Sequence, residues 1–302
     1  MSHSHEHFVS GKRLFLTIIL NIFITLLQII GGIAANSLSL LSDAFHNFSD
    51  VLALVISYIA NTFTKKDYSS SKTFGYKRAE ILAAFINSAF LFIIAFLLIK
   101  EAVMRLIYPA EVKPFLIVTL AGLSIIINTL SVLLLLRDSK KSLNIKSAYL
   151  HLLTDVFTSI IVLVGGLSIY YLNIYWIDAV LTLIISVFLI YSSFGILLKT
   201  MEIFMQFAPK NIDIKQIEKE ILKIKEIKNI HHIHIWQLNE HDIHLEAHID
   251  FNKDIKLSAV TKIINKINKL MKKKFHISHT VFQPEFGAKD DKSIVVKGGK
   301  NG

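Results

Sequence analysis

The chain has 302 residues, and its 53% hydrophobic fraction and mean hydropathy of +0.52 exceed what a globular core requires. Its bulk therefore belongs in a bilayer, which excludes a soluble enzyme, a coiled coil or a disordered tail protein. It contains no cysteine, so any metal must be held by His, Asp or Glu, and a net charge of +10 without a nucleic-acid reading module points to membrane topology and anionic lipid rather than nucleic acid.

Residues 1–11 form a polar, His-containing tail expected to be cytoplasmic and disordered over 1–10. His3, His5 and His7 could collect metal loosely there without making a rigid site. Crossing a bilayer core takes about 20 helical residues, and within 12–208 six apolar stretches qualify: 14–35, 38–63, 79–108, 114–136, 147–172 and 176–199. The first holds Asn21 and Gln28 and reads as a retained span, not a cleaved signal. Lys12 and Arg13 precede it; Lys65, Lys66, Lys72, Lys77 and Arg78 lie between spans two and three; Arg137, Lys140, Lys141 and Lys146 lie between four and five. The connections on the other side carry no Lys or Arg, except that Lys113 is balanced by Glu111. The positive-inside rule then places both termini in the cytoplasm.

After residue 208 the pattern becomes periodic and amphipathic. Ile214, Ile217, Ile221 and Ile224 recur at helical spacing behind a capping Asp213, residues 230–238 and 242–251 alternate as strands around a turn at Asn239, Glu240 and His241, and a second helix carries Val260, Ile263, Ile264, Ile267, Leu270 and Met271. A short strand at 279–283 completes an αββαβ order, two helices on a three-stranded sheet over 209–287. Alternation puts Ile243, Leu245, Ala247, Ile249 and Phe251 on one face, with His244, Glu246, His248 and Asp250 on the other. In the first strand His232, His234 and Trp236 oppose Ile233 and Ile235. That His-bearing face is either a solvated surface or one open to a partner subunit. The lysines of the second helix, Lys262 to Lys274, read as its solvated face, and residues 288–302 are expected to be a disordered tail.

Of 13 histidines only His46 and His151 fall between residues 8 and 230, and each has an aspartate four positions later, Asp50 and Asp155. Spacing of i, i+4 puts both side chains on one helical face. Two such helices side by side would supply two nitrogens and two oxygens, the ligand count of a tetrahedral zinc site. The pairs occupy spans two and five, matching positions in two three-helix halves, where transporters place their sites. The alternative is a pair of hydrogen-bonded core histidines with aspartates serving packing. An unpaired aspartate near the bilayer centre costs about 2.5 kcal/mol or more, and neither span offers a Lys or Arg to neutralise it. Asp43 falls near the same face, either orienting His46 or purely structural; Glu80, Asn128 and Asp178 read as span-end or interhelical hydrogen bonders.

The run ANSLSLLSDAFHNFSD from Ala35 to Asp50, the loop FGYKRAE from Phe74 to Glu80, the segment from His151 to Asp155, and HHIHIW from His231 to Trp236 together resemble the signatures of the cation diffusion facilitator family over roughly 12–286. The resemblance implies a homodimeric, proton-coupled exporter of divalent metal, with six spans and a ferredoxin-like cytoplasmic domain for metal binding and dimerisation, in a plasma membrane of bacterial type. It implies His46, Asp50, His151 and Asp155 as transport ligands, in the arrangement associated with zinc. It also points to His234, His248, His279 and Glu285 as ligands of a cytoplasmic regulatory site, so that Zn2+ is both cargo and regulatory ligand and no organic cofactor is expected. Gln28 departs from the glutamate that members often carry in the first span. Two other functions compete with export: an intramembrane zinc protease, whose His-Glu-x-x-His motif is absent, and a metal sensor that does not conduct. Nitrogen and oxygen donors alone leave zinc, cadmium, cobalt and nickel open as cargo.

Overall fold

The computed structural model describes residues 4–64, 69–136, 143–240 and 242–295, with the side chains of all but 4–15, 53–64 and 143–148. His3, Lys65, Lys66, Arg137, Lys140, Lys141 and His241 lie outside that set, as do the side chains of His5, His7 and Lys146. The chain divides into two compact units, Met1–Ile59 with Ala83–Leu197 and Ala60–Leu82 with Leu198–Gly302.

The first unit is built from six helices: α1 (Ser4–Ala35), α2 (Leu38–Thr64), α3 (Ala79–Ile107), α4 (Pro114–Leu135), α5 (Leu143–Leu172) and α6 (Trp176–Phe204). Among the described residues, five of them (all but α2) are long and apolar enough to cross a membrane, and they leave large side chains such as Ile33 and Tyr191 exposed for lipid. This is an integral membrane domain. The 1–10 segment expected to be disordered is instead helical from Ser4, because no proline or glycine interrupts the chain before Gly11 and α1 simply extends outward.

Local chemistry sets the helix ends. Asn36 adopts φ 55, a left-handed position open to Asn, so α1 stops at Ala35 and the chain reverses at once into α2. The free N–H groups of α2's first turn find an acceptor from another helix. Asp178 of α6 takes hydrogen bonds from Leu38 N (2.8 Å), from Ser39 N (3.3 Å), and from the hydroxyls of Ser37 and Ser39 (2.6 Å each). Its reading as an interhelical hydrogen bonder is matched by this geometry. At the α1–α4 contact Gly31 permits close approach, since a Cβ there would lie 1.9 Å from Leu120 Cδ1. Proline at the first position of α4 starts that helix where its missing N–H is not needed.

The second unit carries α7 (Ile214–Ile221), β1 (Ile227–Gln237), β2 (Ile243–Phe251), α8 (Leu257–Phe275) and β3 (His279–Glu285). The αββαβ order matches the sequence reading. β1 pairs antiparallel with β2, and β2 parallel with β3. Asp213 caps α7 through Lys215 N (2.9 Å). Ile217, Ile221, Ile267 and Met271 from the helices meet Ile230, Ile233, Leu245 and Ile249 from the sheet in one apolar core. The loop between α2 and α3 belongs to this unit: Lys77 Nζ pairs with Asp242 Oδ2 at 2.7 Å, and the Phe74 and His244 rings lie 5.7 Å apart.

Two features depart from expectation. Between the pairs His231–His248 and His234–Glu246, β1 sets two residues, His232 and Ile233, against the single Ala247 of β2, a bulge at which His232 takes φ 52. One extra residue reverses the inward and outward phase of a strand. His231, which strict alternation groups with Ile233 and Ile235, therefore pairs directly with His248. The tail is the second correction, because 288–295 is not loose. His232 N donates to Ser293 O (3.1 Å) and Ile233 N to Ile294 O (2.8 Å), so the Ser293 segment adds to the free edge of β1. Residues 296–302 lie outside the described set.

Replacing Asp178 by Ala strands two hydroxyls and two backbone donors at one buried helix start. It should lower stability by on the order of 2–3 kcal/mol, read as an earlier thermal unfolding of the purified protein in detergent; an unchanged melting curve would remove the capping role.

Candidate metal centres

Helix α2 carries His46 and Asp50, and α5 carries His151 and Asp155, one turn apart on each helix as i, i+4 spacing dictates. The two faces meet. His46 Nε2 lies 3.8 Å from Asp50 Oδ2 and 3.7 Å from Asp155 Oδ1, while His151 Nε2 lies 3.1 Å from Asp50 Oδ2 and 3.8 Å from Asp155 Oδ2. One donor atom from each of the four residues falls within 4.8 Å of every other. A tetrahedral ion with arms of about 2.0–2.1 Å places its donors about 3.4 Å apart, so these separations need only small side-chain adjustments to close on one ion. The protein leaves the donors otherwise unspent: His46 Nε2, Asp50 Oδ2, His151 Nε2 and both Asp155 carboxylate oxygens are buried atoms without a hydrogen-bond partner among the described residues. Such atoms are expensive to bury unless a cation or proton completes them. The cluster is also lopsided. Side-chain exposure is 9% for His46 and 1% for Asp155, against 37% for His151 and 29% for Asp50, so an ion could reach it from the His151 side.

Among the described residues no hydrogen bond joins the fully buried Asp43 to His46. Asp43 Oδ2 accepts from Gln28 Nε2 (2.7 Å) and Ser159 Oγ (3.2 Å), and Gln28 Oε1 accepts from Asn47 Nδ2 (3.0 Å). Ser159 continues to Ser124 (2.9 Å), whose Oγ accepts from Asn128 Nδ2 (3.4 Å). This network joins α1, α2, α4 and α5 behind the donor set, which makes the Gln28 departure intelligible: an amide both donates to Asp43 and accepts from Asn47, and an ionised glutamate could not donate.

A second donor set lies in the C-terminal unit. His231, His248, Glu285 and Asp290 each offer an atom within 4.8 Å of the others. His248 Nδ1 is 2.8 Å from Glu285 Oε1, and His231 Nε2 is 2.9 Å from Asp290 Oδ2 and 3.4 Å from Glu285 Oε2. Of the four residues expected there, the structure brings His248 and Glu285 into the cluster and leaves His234 and His279 out. His234 is exposed beside His232, with ring centroids 5.0 Å apart. His279 pairs with His244 at the other end of β3, six residues and roughly 20 Å along the strand from Glu285. There, burial first and repulsion from His279 second hold the His244 imidazole below its usual range. The two members that replace them, His231 and Asp290, were hidden by the bulge and by the docked tail. Hydrogen bonds from Lys292 and from the His231 ring hold the Asp290 carboxyl down at about 2.

An apolar helical domain enclosing paired His and Asp donors, followed by a small α+β domain with its own donor set, defines an integral membrane protein equipped to meet cations. The sequence matches the cation efflux transmembrane domain over residues 14–205 and the cation efflux protein cytoplasmic domain over 209–286. It is 32% identical to the cadmium, cobalt and zinc/H(+)-K(+) antiporter of Bacillus subtilis, across 98% of this chain and 96% of that protein. It is 31% identical to the cation efflux system protein CzcD of an Alcaligenes species, across 94% and 89%, and 31% identical to the zinc transporter ZitB of Pectobacterium atrosepticum, across 96% and 91%. The chain belongs to the cation efflux family, the cation diffusion facilitators.

Replacing Gln28 by Leu removes the amide that bridges Asp43 and Asn47. Leaving both short of a partner should cost about 1–3 kcal/mol, seen as a lower melting temperature, whereas Gln28→Asn, which keeps an amide, should lose less. Equal melting of Gln28→Leu and the unaltered protein would disprove the bridging role.

Proposed function

We propose that this protein exports divalent metal, zinc foremost, from the cytoplasm in exchange for protons, and that His46, Asp50, His151 and Asp155 hold the ion during passage. The observation that carries the reading is the convergence of these four side chains from two helices, with donor atoms within 4.8 Å of one another inside an apolar domain. Relatives named for zinc, cadmium and cobalt antiport and for cation efflux support the cargo class and the exchange. With α2 read as a sixth span, both termini fall on one side of a bacterial-type plasma membrane, and the Lys and Arg bias of the loops supports the cytoplasmic side. The C-terminal domain is read as a ferredoxin-like dimerisation module. Its helices cover one face of the sheet, while the other presents His234, Glu246 and Val281 outward, a face suited to a second copy of the chain. There His231, His248, Glu285 and Asp290 form a regulatory metal site.

The coupling follows from the donors themselves. A metal binds neutral imidazole and ionised carboxylate, so protons and metal compete for the same lone pairs, and imidazole exchanges its proton near physiological pH. Exposed to the cytoplasm, the site exchanges protons for metal; exposed to a more acidic outer face, it exchanges metal for protons. Alternating exposure turns inward proton flow into outward metal flow.

Single replacement of His46, Asp50, His151 or Asp155 by Ala should slow zinc transport by at least roughly 10–100-fold in proteoliposomes, with the protein still folded and monodisperse. Two of the four variants transporting at the unaltered rate would refute the site. In inside-out vesicles with an acidic lumen, zinc should accumulate as the lumen loses protons. Accumulation that is indifferent to a protonophore would rule out proton exchange and leave metal export to another driving ion.

A further inference from the structure

The second donor set contains a cation that belongs to the protein. Lys292 Nζ lies 3.0 Å from Asp250 Oδ2 and 3.1 Å from Glu285 Oε2, ion-pairs with Asp290, and stands 3.4 Å from His231 Nε2. Three of those four partners, Glu285, Asp290 and His231, also belong to the candidate metal cluster. The lysine is brought there by the tail, whose Ser293 and Ile294 carbonyls accept the N–H groups of His232 and Ile233 and whose Lys292 carbonyl accepts from Asn229 Nδ2 (3.4 Å). Asp290, two residues earlier, arrives by the same docking. A segment expected to be loose thus delivers both a donor and a positive charge to one point.

We infer that Lys292 is a tethered cation that fills the C-terminal donor set until a divalent metal displaces it, and that Asp290 stays behind as one of the metal's ligands. The inference rests on the reading of this cluster as a metal site. Three carboxylates, Asp250, Glu285 and Asp290, gather around two imidazoles, and like charges this close disfavour one another unless a cation is present. An ammonium supplies one positive charge and three N–H donors. A divalent ion supplies twice the charge to the same oxygens and also takes the imidazole lone pairs, which an ammonium can only approach as a donor. The two cannot share the space, because both claim Glu285 Oε2 and His231 Nε2. Binding of metal is therefore an exchange. Its apparent affinity is reduced by the fraction of time the lysine is in place, which sets a metal threshold without any partner protein. Arrival of metal drives the Lys292 side chain into water and loosens the tail's hold from residue 292 onward.

The test uses the full-length protein in detergent, carrying His46→Ala and Asp155→Ala so that zinc bound reports the C-terminal set. Zinc affinity is measured by competition with a chromophoric chelator. Acylation of Lys292 by an amine-reactive reagent is followed by mass spectrometry with and without zinc. Lys292 should be slow to react without zinc and faster with it. Lys292→Met should tighten zinc binding roughly tenfold, Lys292→Arg should stay near the unaltered affinity, and Asp290→Asn should weaken it by roughly tenfold or more. Unchanged labelling on zinc addition, or a Lys292→Met chain that binds no tighter, overturns the proposal. Zinc binding by Lys292→Met where the unaltered lysine allows none supports it. If neither binds zinc at this set while the protein with its membrane donors intact still transports zinc, the latch and the regulatory site both fall and the transport reading stands.

Discussion

The cost of burying a carboxylate without a counter-charge organises this molecule. Four aspartates, Asp43, Asp50, Asp155 and Asp178, lie inside the helical domain, and among the described residues no Lys or Arg pairs with any of them. Asp178 is satisfied by the start of α2, where two backbone N–H groups and two serine hydroxyls converge on it; the partial positive charge of a helix N-terminus does the rest. Asp43 is met by neutral donors, Gln28 and Ser159. Asp50 and Asp155 are met by neither. They face two imidazoles, with Asp50 Oδ2 3.1 Å from His151 Nε2 and the other three separations at 3.7–3.8 Å, longer than direct hydrogen bonds, and this difference in how the charge is answered separates the donor set from the scaffold around it.

The scaffold in turn fixes the site's geometry. Asp178 anchors the first turn of α2, His46 lies two turns further on, and the Asp43 network ties that same helix to α1 and, through Ser159, to α5 one turn beyond Asp155. Both donor-bearing helices are thus held from outside the donor set. Among the described residues of the C-terminal unit nothing comparable holds the donors. Donors come from three strands and a tail segment, and the tail's attachment is two backbone hydrogen bonds along an edge, one from Asn229 to the Lys292 carbonyl, the contact of Asp290 with His231 and ion pairs from one lysine. A site assembled from helices can be moved as a body, while a site completed by a tail can be opened by moving the tail alone.

How much of this could be read from the residues divides along the same line. The membrane donors were legible because their chemistry is local: His and Asp four apart in an apolar run state both the helix face and the ligand type without reference to the rest of the chain. The αββαβ order was legible for the same reason, period 3.6 giving way to period 2. His231 was not, because strict alternation assigns it to the apolar face, and one bulged residue, accommodated by His232 at φ 52, reverses that assignment. Asp290 and Lys292 were not, because a polar stretch after a folded domain reads as a loose tail. A signal was present in Ile294 and Val295, β-prone residues following Asp290, Asp291 and Lys292, and the edge of β1 is what Ser293 and Ile294 answer.

The two donor sets also differ in how firmly they can hold an ion. A metal-ligating imidazole normally gives its second nitrogen to a carboxylate or carbonyl, which fixes the ring and raises its basicity. Among the described residues no group bonds His46 Nδ1, so the ring is positioned by packing, with Phe188 edge-on at 6.0 Å, and not by a partner. In the C-terminal set His231 has Asp250 3.9 Å from its Nδ1 while its Nε2 faces Asp290 and Glu285. A ring oriented only by packing binds more weakly and lets go more readily, which is what a carrier requires, since an ion held too tightly inside the membrane is not delivered. His231 Nδ1 likewise has no hydrogen bond among the described residues, but the carboxylate of Asp250 near it and those of Asp290 and Glu285 at Nε2 surround the ring with negative charge, which suits retention of a cation. On the proposed reading the membrane set suits turnover and the C-terminal set occupancy, imidazole and carboxylate donors serving in both, because the neighbours of those donors, and not their identities, decide the strength of the hold.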